Sequence, residues 1–230
     1  IEVEWDGSWV RRAAGGYTQR ANSVQCFDPR DDGDADRRLA ASRRWFEDRG
    51  LQPIVRMTPL AGPGLREALD AAGWRTVDRS HLFAMALGPM EGDRRVRCTS
   101  LLDPRFLAAQ RALQGYSEER TGRMRALLAV IDVPAIGLVL EDGGEPVASA
   151  LMAIADGIVV TGNVVTRAGR RREGFGAALM RTGLAWAHRT GATLAALNVT
   201  AGNEAAQSLY RGLGYTHQYD YDYRIPGDAA

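Results

Sequence analysis

Three arginines and two glycines, in the order Arg170-Arg171-Arg172-Glu173-Gly174-Phe175-Gly176, run directly into the apolar segment Ala177–Met180. A glycine-bearing turn that opens a helix leaves the first backbone N–H groups of that helix without acceptors, and the helix dipole adds partial positive charge at the same place. Gly174 and Gly176 let the main chain approach a phosphate with no Cβ in between, and Arg171 and Arg172 offer charge-assisted hydrogen bonds. The chemistry is anion binding. No G-K-[ST] follows, which excludes a P-loop, and only two glycines of the dinucleotide fingerprint are present. Taken alone, R-x-x-G-x-G describes a solvated basic turn capping a helix equally well.

The elements that position this turn can be read from periodicity. "GEPVASALMAIADGIVVTGNVVT" is two β-branched, apolar strands joined at Asp156-Gly157, a strong hairpin signal. From Gly176 the pattern is helical, with Leu179, Met180, Leu184 and Ala187 near one face and Gly191 as the stop. "TLAALNVT" is a short buried strand, Asn203 to Leu213 a second helix and "YTHQYDYDYRI" a last strand. Upstream, "RRVRCTSLL" and "AIGLVLED" read as strands, with helices at Asp103–Leu113 and Gly122–Val130 between them. The order β-α-α-β-β-β-α-β-α-β predicts an α/β chain with a mixed sheet and helices on its faces.

The first part of the chain echoes this order. At an offset of 141 residues Gly16 falls on Gly157, Asn22 on Asn163, Val24 on Val165, Gly33 on Gly174, Trp45 on Trp186, Gly50 on Gly191 and Gly73 on Gly214, at element boundaries and without a gap. The reading is a tandem repeat with a polar link at Leu87–Asp93, giving domains at 1–90 and 91–230. Arg20–Val24 would be an internal strand, the counterpart of "TGNVV".

Composition excludes several classes. The 230 residues carry 29 basic and 28 acidic side chains, a net charge of +1, so no global preference for nucleic acid or anionic membrane is expected. No apolar run approaches the roughly 18 residues of a membrane span and no signal-like segment opens the sequence, so the expected location is the cytoplasm. Cys26 and Cys98 are far apart and lack metal-ligand spacing, which predicts reduced packing residues and no metal site.

Further on, Asn203 lies 29 residues after Gly174, and Tyr210 lies 36 after it in "SLYRGLGY". The order strand, R-x-x-G-x-G, helix, strand, N-x-x-A, Y-x-x-x-G-[FY] resembles the GNAT family of acetyl-CoA-dependent N-acetyltransferases. The resemblance covers roughly Arg94 to Ile225, with its sharp motifs at Val164–Gly176 and Asn203–Tyr215. It implies the GNAT acyl-CoA N-acyltransferase fold. It further implies that Arg171, Arg172, Gly174, Phe175, Gly176 and Ala177 hold the CoA diphosphate, and that Val164, Val165 and Thr166 form the splayed strand that binds pantetheine and polarises the thioester carbonyl. Asn203 would hydrogen-bond the pantetheine, and Tyr210 would stand near the sulfur as the proton donor to the leaving thiolate. A core aromatic on an amphipathic helix is the other reading of Tyr210. A non-catalytic module binding CoA or another phosphate ligand is the alternative function. Binding alone requires no proton donor at a sulfur.

The acceptor is expected to be a small-molecule or peptide amine, and the protein a monomer or homodimer. No single carboxylate stands out as general base. Asp220 and Asp222 share one face of "YDYDY", and Glu118 and Glu119 lie in "GYSEERTG" between the first two helices; each pair has the charge to draw in a cationic amine, and each also fits a solvated surface. At the repeat offset, Gly62 and Leu69 replace Asn203 and Tyr210, and five aspartates between Asp28 and Asp36 face the arginine-rich turn, where they would repel a diphosphate. The first part therefore reads as an incomplete, degenerate GNAT-like half without a cofactor site.

Overall fold

The computed structural model describes residues 1–227. In chain order the elements are β1 (Glu2–Asp6), β2 (Trp9–Ala13), β3 (Val24–Cys26), α1 (Ala35–Glu47), β4 (Val55–Met57), α2 (Pro63–Ala71) and β5 (Arg75–Ala86). There follow β6 (Val96–Thr99), α3 (Pro104–Gln114), α4 (Glu118–Leu128), β7 (Ala135–Asp142), β8 (Glu145–Ala155) and β9 (Ile158–Thr166). The last elements are α5 (Phe175–Arg189), β10 (Leu194–Thr200), α6 (Glu204–Gly212) and β11 (Thr216–Ile225). Every strand and helix expected downstream of Arg94 is present. The chain forms two compact units: Ile1–His81 with the chain from Tyr219 on, and Leu82–Gln218. The divisions fall inside β5 and β11, whereas the polar link at Leu87–Asp93 lies within the second unit. There Leu87 donates its amide to the Thr193 carbonyl at 2.8 Å and Asp93 donates to Thr182 Oγ1 at 2.8 Å.

In the second unit the strand order is β5-β10-β9-β8-β7-β6. β6 to β9 form an antiparallel meander, and β10 lies parallel to β9. The β8–β9 hairpin turns at Asp156 (φ 50°) and Gly157 (φ 75°), a left-handed pair that matches the twist of the flanking strands. The core gathers alternate residues of the central strands, such as Leu138, Leu140, Ala150, Met152 and Leu197, under Leu179, Met180, Leu184 and Ala187 of α5. Phe83 and Leu87 from the β5 end belong to the same core. Gly183 permits close packing of α5, because a Cβ there would stand 2.6 Å from Leu138 and Met152.

The first unit orders its strands β1-β2-β3-β4-β11-β5, with β3 and β4 parallel and β11 antiparallel to β4 through Asp222↔Met57, Tyr223↔Arg56 and Arg224↔Val55. Trp9, Leu39, Phe46, Leu65 and Leu69 build its core. The strand expected at Arg20–Val24 is replaced by a 3-10 turn at Gln19–Ala21, and only Val24–Cys26 is extended. The cause is Asn22, whose buried side chain accepts from the amides of Ala14 (2.7 Å) and Gly16 (2.9 Å) and donates to the Thr18 carbonyl (2.7 Å), holding the loop away from a ladder. Of the two cysteines only Cys26 is buried; Cys98 is exposed on β6.

The aspartate-rich loop of this unit turns two of its carboxylates inward. Asp32 accepts from the amides of Gly64 and Leu65 (2.9 Å) at the start of α2. Asp31 binds the buried Arg38 guanidinium at 3.0 Å and accepts from the Ser8 amide at 2.6 Å, and these bonds hold its carboxyl down at about 2. A carboxylate depressed in this way stabilises the fold above its ordinary value of 3.8 and loses that contribution as pH falls toward about 2. Asp31→Asn is therefore expected to lower Tm at pH 7 and to flatten the fall in Tm between pH 4 and pH 2, measured by circular dichroism melts across that range. An unchanged acid limb in the variant would count against this role.

Candidate active site

The site begins where two parallel strands part. The β9–β10 ladder runs from Leu194↔Ile158 to Leu197↔Thr161, and beyond Thr161 and Leu197 the two strands continue outside it. A bulge in β9 accompanies the parting. Ser149 stands opposite Val165 and Leu151 opposite Gly162, leaving Asn163 and Val164 to face Ala150 alone, with Asn163 in the left-handed region at φ 52°. Arg167 donates to the Val147 carbonyl across β8 at 2.8 Å. By antiparallel alternation the Val165 amide also faces β8 and the Thr166 amide faces the open side. Gly162 to Thr166 are half-buried. The sequence assigns Val164, Val165 and Thr166 together; alternation separates Val165 from Thr166, and the Val164 amide, in the same peptide plane as the Asn163 carbonyl, points opposite to that carbonyl.

The open end of β9 leads into the arginine-glycine turn. Gly174 adopts φ 82° as the N-cap of α5 and makes no side-chain cap, so the amides of Phe175, Gly176 and Ala177 are left without intrahelical acceptors, while Ala178 already bonds Gly174 at 3.0 Å. The three arginines do different things. Arg170 is consumed internally, bonding Asp142 and Glu173 at 2.8 Å each and stacking over Phe175 at 5.0 Å. Arg171 and Arg172 are exposed and make no hydrogen bond or ion pair among the described residues. Gly176 is where the parts meet, since a Cβ there would lie 3.5 Å from Thr166 Oγ1 and 3.2 Å from Leu209 of α6. Beside the helix start a cavity of about 360 Å³ is lined by Gly92, Asp93, Arg95, Gly174, Ala177 and Arg181 among others.

From α6, Tyr210 is buried at 5% exposure and packs edge-on to Tyr215 with ring centroids 6.0 Å apart. Burial pushes its hydroxyl up to about 12, so it is neutral across the physiological range. The ring is thus part of the core, as one reading of the sequence had it, while the hydroxyl makes no hydrogen bond among the described residues and retains its proton. Asn203 is the N-cap of α6, its Oδ1 accepting from the Ala206 amide at 3.1 Å, while its side-chain NH₂ makes no hydrogen bond among the described residues.

The four acidic candidates separate. Glu118 and Glu119 do not lie in a loop: Ser117 caps α4 by accepting from the Arg120 amide at 3.1 Å, and both glutamates occupy the first turn, where carboxylates complement the helix dipole. Glu119 pairs with Arg123 at 2.7 Å; Glu118 has no ion pair among the described residues. Asp220 and Asp222 fall in the first unit, where Asp220 bonds His81 Nδ1 at 2.5 Å and Asp222 lies 3.6 Å from Arg224. Burial raises the Asp222 carboxyl. Sequence reasoning missed Gln110, which lies fully buried in α3 and donates to the Asn163 carbonyl at 3.0 Å; the available signal was a glutamine one turn after Phe106 on the apolar face of an amphipathic helix.

Comparison with known proteins agrees with this architecture. A family model described as probable histone acetyltransferase Rv0428c C-terminal matches residues 1–224. The chain is 25% identical over 225 residues to the uncharacterized N-acetyltransferase YobR of Bacillus subtilis strain 168, covering 95% of this chain and 90% of that protein. Among solved structures it is similar to a GCN5-related N-acetyltransferase from Kribbella flavida, with TM-score 0.73, 24% identity, and coverage of 99% of this chain and 90% of that one. It also resembles a tandem GNAT protein from the clavulanic acid biosynthesis pathway, with TM-score 0.65 and 14% identity over 90% of this chain and 76% of the other. These likenesses show the mixed α/β GNAT fold. No helix among the described residues is long and apolar enough to cross a membrane.

Proposed function

Because the chain belongs to the probable histone acetyltransferase Rv0428c C-terminal family, an acyl-transfer family, we propose that it moves an acetyl group from acetyl-CoA to a primary amine by direct attack on the thioester. The observation that carries this reading is the parting of β9 from β10 beyond Thr161, which leads directly to an uncapped helix start flanked by two uncommitted arginines. In this reading the diphosphate lies on the amides of Phe175, Gly176 and Ala177, with Arg171 and Arg172 above it. The pantetheine arm then runs into the gap, within reach of the Asn203 side-chain amide.

The chemistry follows from charge. As the amine nitrogen bonds to the carbonyl carbon, the π pair moves to oxygen, and the backbone amides of Val164 and Thr166 are the donors suited to stabilise it. Collapse reforms the carbonyl and breaks the C–S bond, and the thiolate takes up a proton as the amine loses one. Tyr210, held neutral by burial, is the donor suited to the sulfur. Glu118 is the acid of the second unit suited to attract a cationic acceptor, a small molecule or a peptide.

The first unit, on this proposal, is a degenerate copy. Shifted by the repeat offset, α2 coincides with α6 at both ends and α1 with α5 to within a residue at each end, while the parallel pair β3–β4 repeats β9–β10. Leu69 stands in place of the tyrosine, and Asp32 already occupies amides in this unit.

Titration calorimetry with acetyl-CoA is expected to give one site per chain, and thiol release over an amine panel to reveal the acceptor. Two equivalent sites, or tight binding with no thiol release from any amine, would overturn the respective parts of the proposal. Replacing Arg171 and Arg172 together by Ala is expected to weaken CoA about tenfold or more, since a charge-assisted bond is worth roughly 1.5–3 kcal/mol before solvent screening. A pantetheine fragment without the diphosphate should lose little. Equal losses for both ligands would take the arginines off the phosphates.

A further inference from the structure

The bulge that opens β9 is held from behind. α3 starts at the Asp103 cap with Pro104 in its first turn and turns Phe106, Ala109 and Gln110 into the core. Gln110 is fully buried, and its Nε2 divides two hydrogen bonds between the Asn163 carbonyl at 3.0 Å and Ser149 Oγ at 2.9 Å. Ser149 in turn donates to the Leu138 carbonyl at 2.9 Å, so one buried polar chain ties α3 to β7, β8 and β9. The orientation of the amide is fixed by chemistry. A peptide carbonyl only accepts, so the side of Gln110 that faces Asn163 has to be the NH₂. Its Oε1 is consequently buried with no hydrogen-bond partner among the described residues, a local cost the fold accepts to keep the donor on that carbonyl.

That carbonyl belongs to the left-handed residue at φ 52°. A regular β9 would return it to the plane of the ladder, where β10 is its natural partner. With the Asn163 carbonyl bonded to a helix behind the sheet, Asn163 and Val164 cannot rejoin the ladder. The Thr166 amide then keeps its place on the open side.

We propose that Gln110 is a positioning residue for acyl transfer: its NH₂ holds the Asn163 carbonyl and thereby sets the Val164 and Thr166 amides at the distance and angle the developing oxyanion needs. This rests on the reading that the thioester lies along the open edge of β9. The hydrogen bonds of Gln110 run to Ser149 and Asn163, and none goes to the diphosphate turn or to Tyr210, so its effect falls on the chemical step. A displacement of such donors by about an ångström costs up to about 100-fold in rate.

The test uses Gln110→Met and Gln110→Leu in the full chain, two variants of similar bulk that remove the donor. With the best acceptor found by thiol release, kcat is expected to fall about 10- to 100-fold. CoA affinity by calorimetry should stay within about threefold, and both variants should still unfold cooperatively. Hydrogen exchange read by mass spectrometry or NMR should change most at Asn163–Thr166. A folded variant with unaltered kcat and unaltered exchange there overturns the proposal. So does a parallel loss of kcat, CoA affinity and Tm, which marks Gln110 as part of the core and nothing more. If the wild type transfers no acetyl group while the exchange change is confined to Asn163–Thr166, the pin stands and the functional reading falls.

Discussion

Tyr210→Phe is expected to lower kcat about 10- to 1000-fold while leaving the Kd for acetyl-CoA almost unchanged, since only an interaction made as the C–S bond breaks has been removed. The size of the effect follows from the environment of the hydroxyl. At about 12, this tyrosine is a weaker acid than an ordinary thiol near 8.5, so full proton transfer to a solvated thiolate would run uphill. The same burial that raises the phenol also raises the thiol, which narrows the gap and makes a strong hydrogen bond to the departing sulfur the main contribution. The pH profile checks the environment independently. A phenol raised by burial is neutral well past pH 10, so no loss of activity from its ionisation is expected below about pH 11. A descending limb at pH 10 that disappears in Tyr210→Phe would place the hydroxyl in water and contradict the burial. Unaltered kcat, where chemistry limits turnover, would make Tyr210 a core residue and no more.

Much of the candidate site was legible because its signals are local. Gly174 needs a left-handed conformation, Asp156-Gly157 needs a left-handed pair, and the spacing from Asn203 to Tyr210 fixes a cap and a position in the last turn of α6. The division of labour among the three arginines was legible only in part. Arg171 and Arg172 stood out by their place in the motif, but Arg170 is tied down by Asp142, which lies 28 residues away. The bulge at Asn163 was not legible at all, because the Gln110 amide that bonds its carbonyl is 53 residues distant, and a lone asparagine in an otherwise regular strand does not announce a left-handed turn. In the first unit, Asn22 overrides the strand pattern of Arg20–Val24 through three side-chain hydrogen bonds that no alternation rule contains. The placement of β11 shows the same limit. Its alternating "YDYDY" predicts a two-faced strand, and Tyr221, Tyr223 and Ile225 are indeed buried against Ile54, yet nothing in the pattern says that the strand pairs with β4.

That placement sets the expected behaviour of the shortened chain. A fragment from Gly92 to Ala230, cut where the polar link suggests a domain boundary, is expected to be insoluble or to lack a cooperative unfolding transition. The fragment loses Leu82–Glu91, which belong to the second unit: Phe83 is fully buried in its core, Leu87 is 8% exposed, and β5 is the neighbour of β10. Truncating one buried phenylalanine costs about 3–5 kcal/mol, against a total stability of about 5–15 kcal/mol for a domain. Removal of Phe83, Leu87 and the strand beside β10 together exceeds that margin. At the other end, Tyr221, Tyr223 and Ile225 lose β4 and Ile54 and become an apolar, unpaired strand, the kind of edge that aggregates. A second fragment starting at Leu82 restores the missing part of the core but leaves the β11 end unpaired. It is expected to recover CoA binding and a measurable Tm while still associating with itself. Full-length protein, both fragments and a Phe83→Ala variant, compared by thermal melts and by light scattering, separate the two contributions. A fragment from Gly92 that is soluble, monomeric and as active as the full chain would show that the first unit and the β5 end are dispensable, and would return the boundary to the polar link.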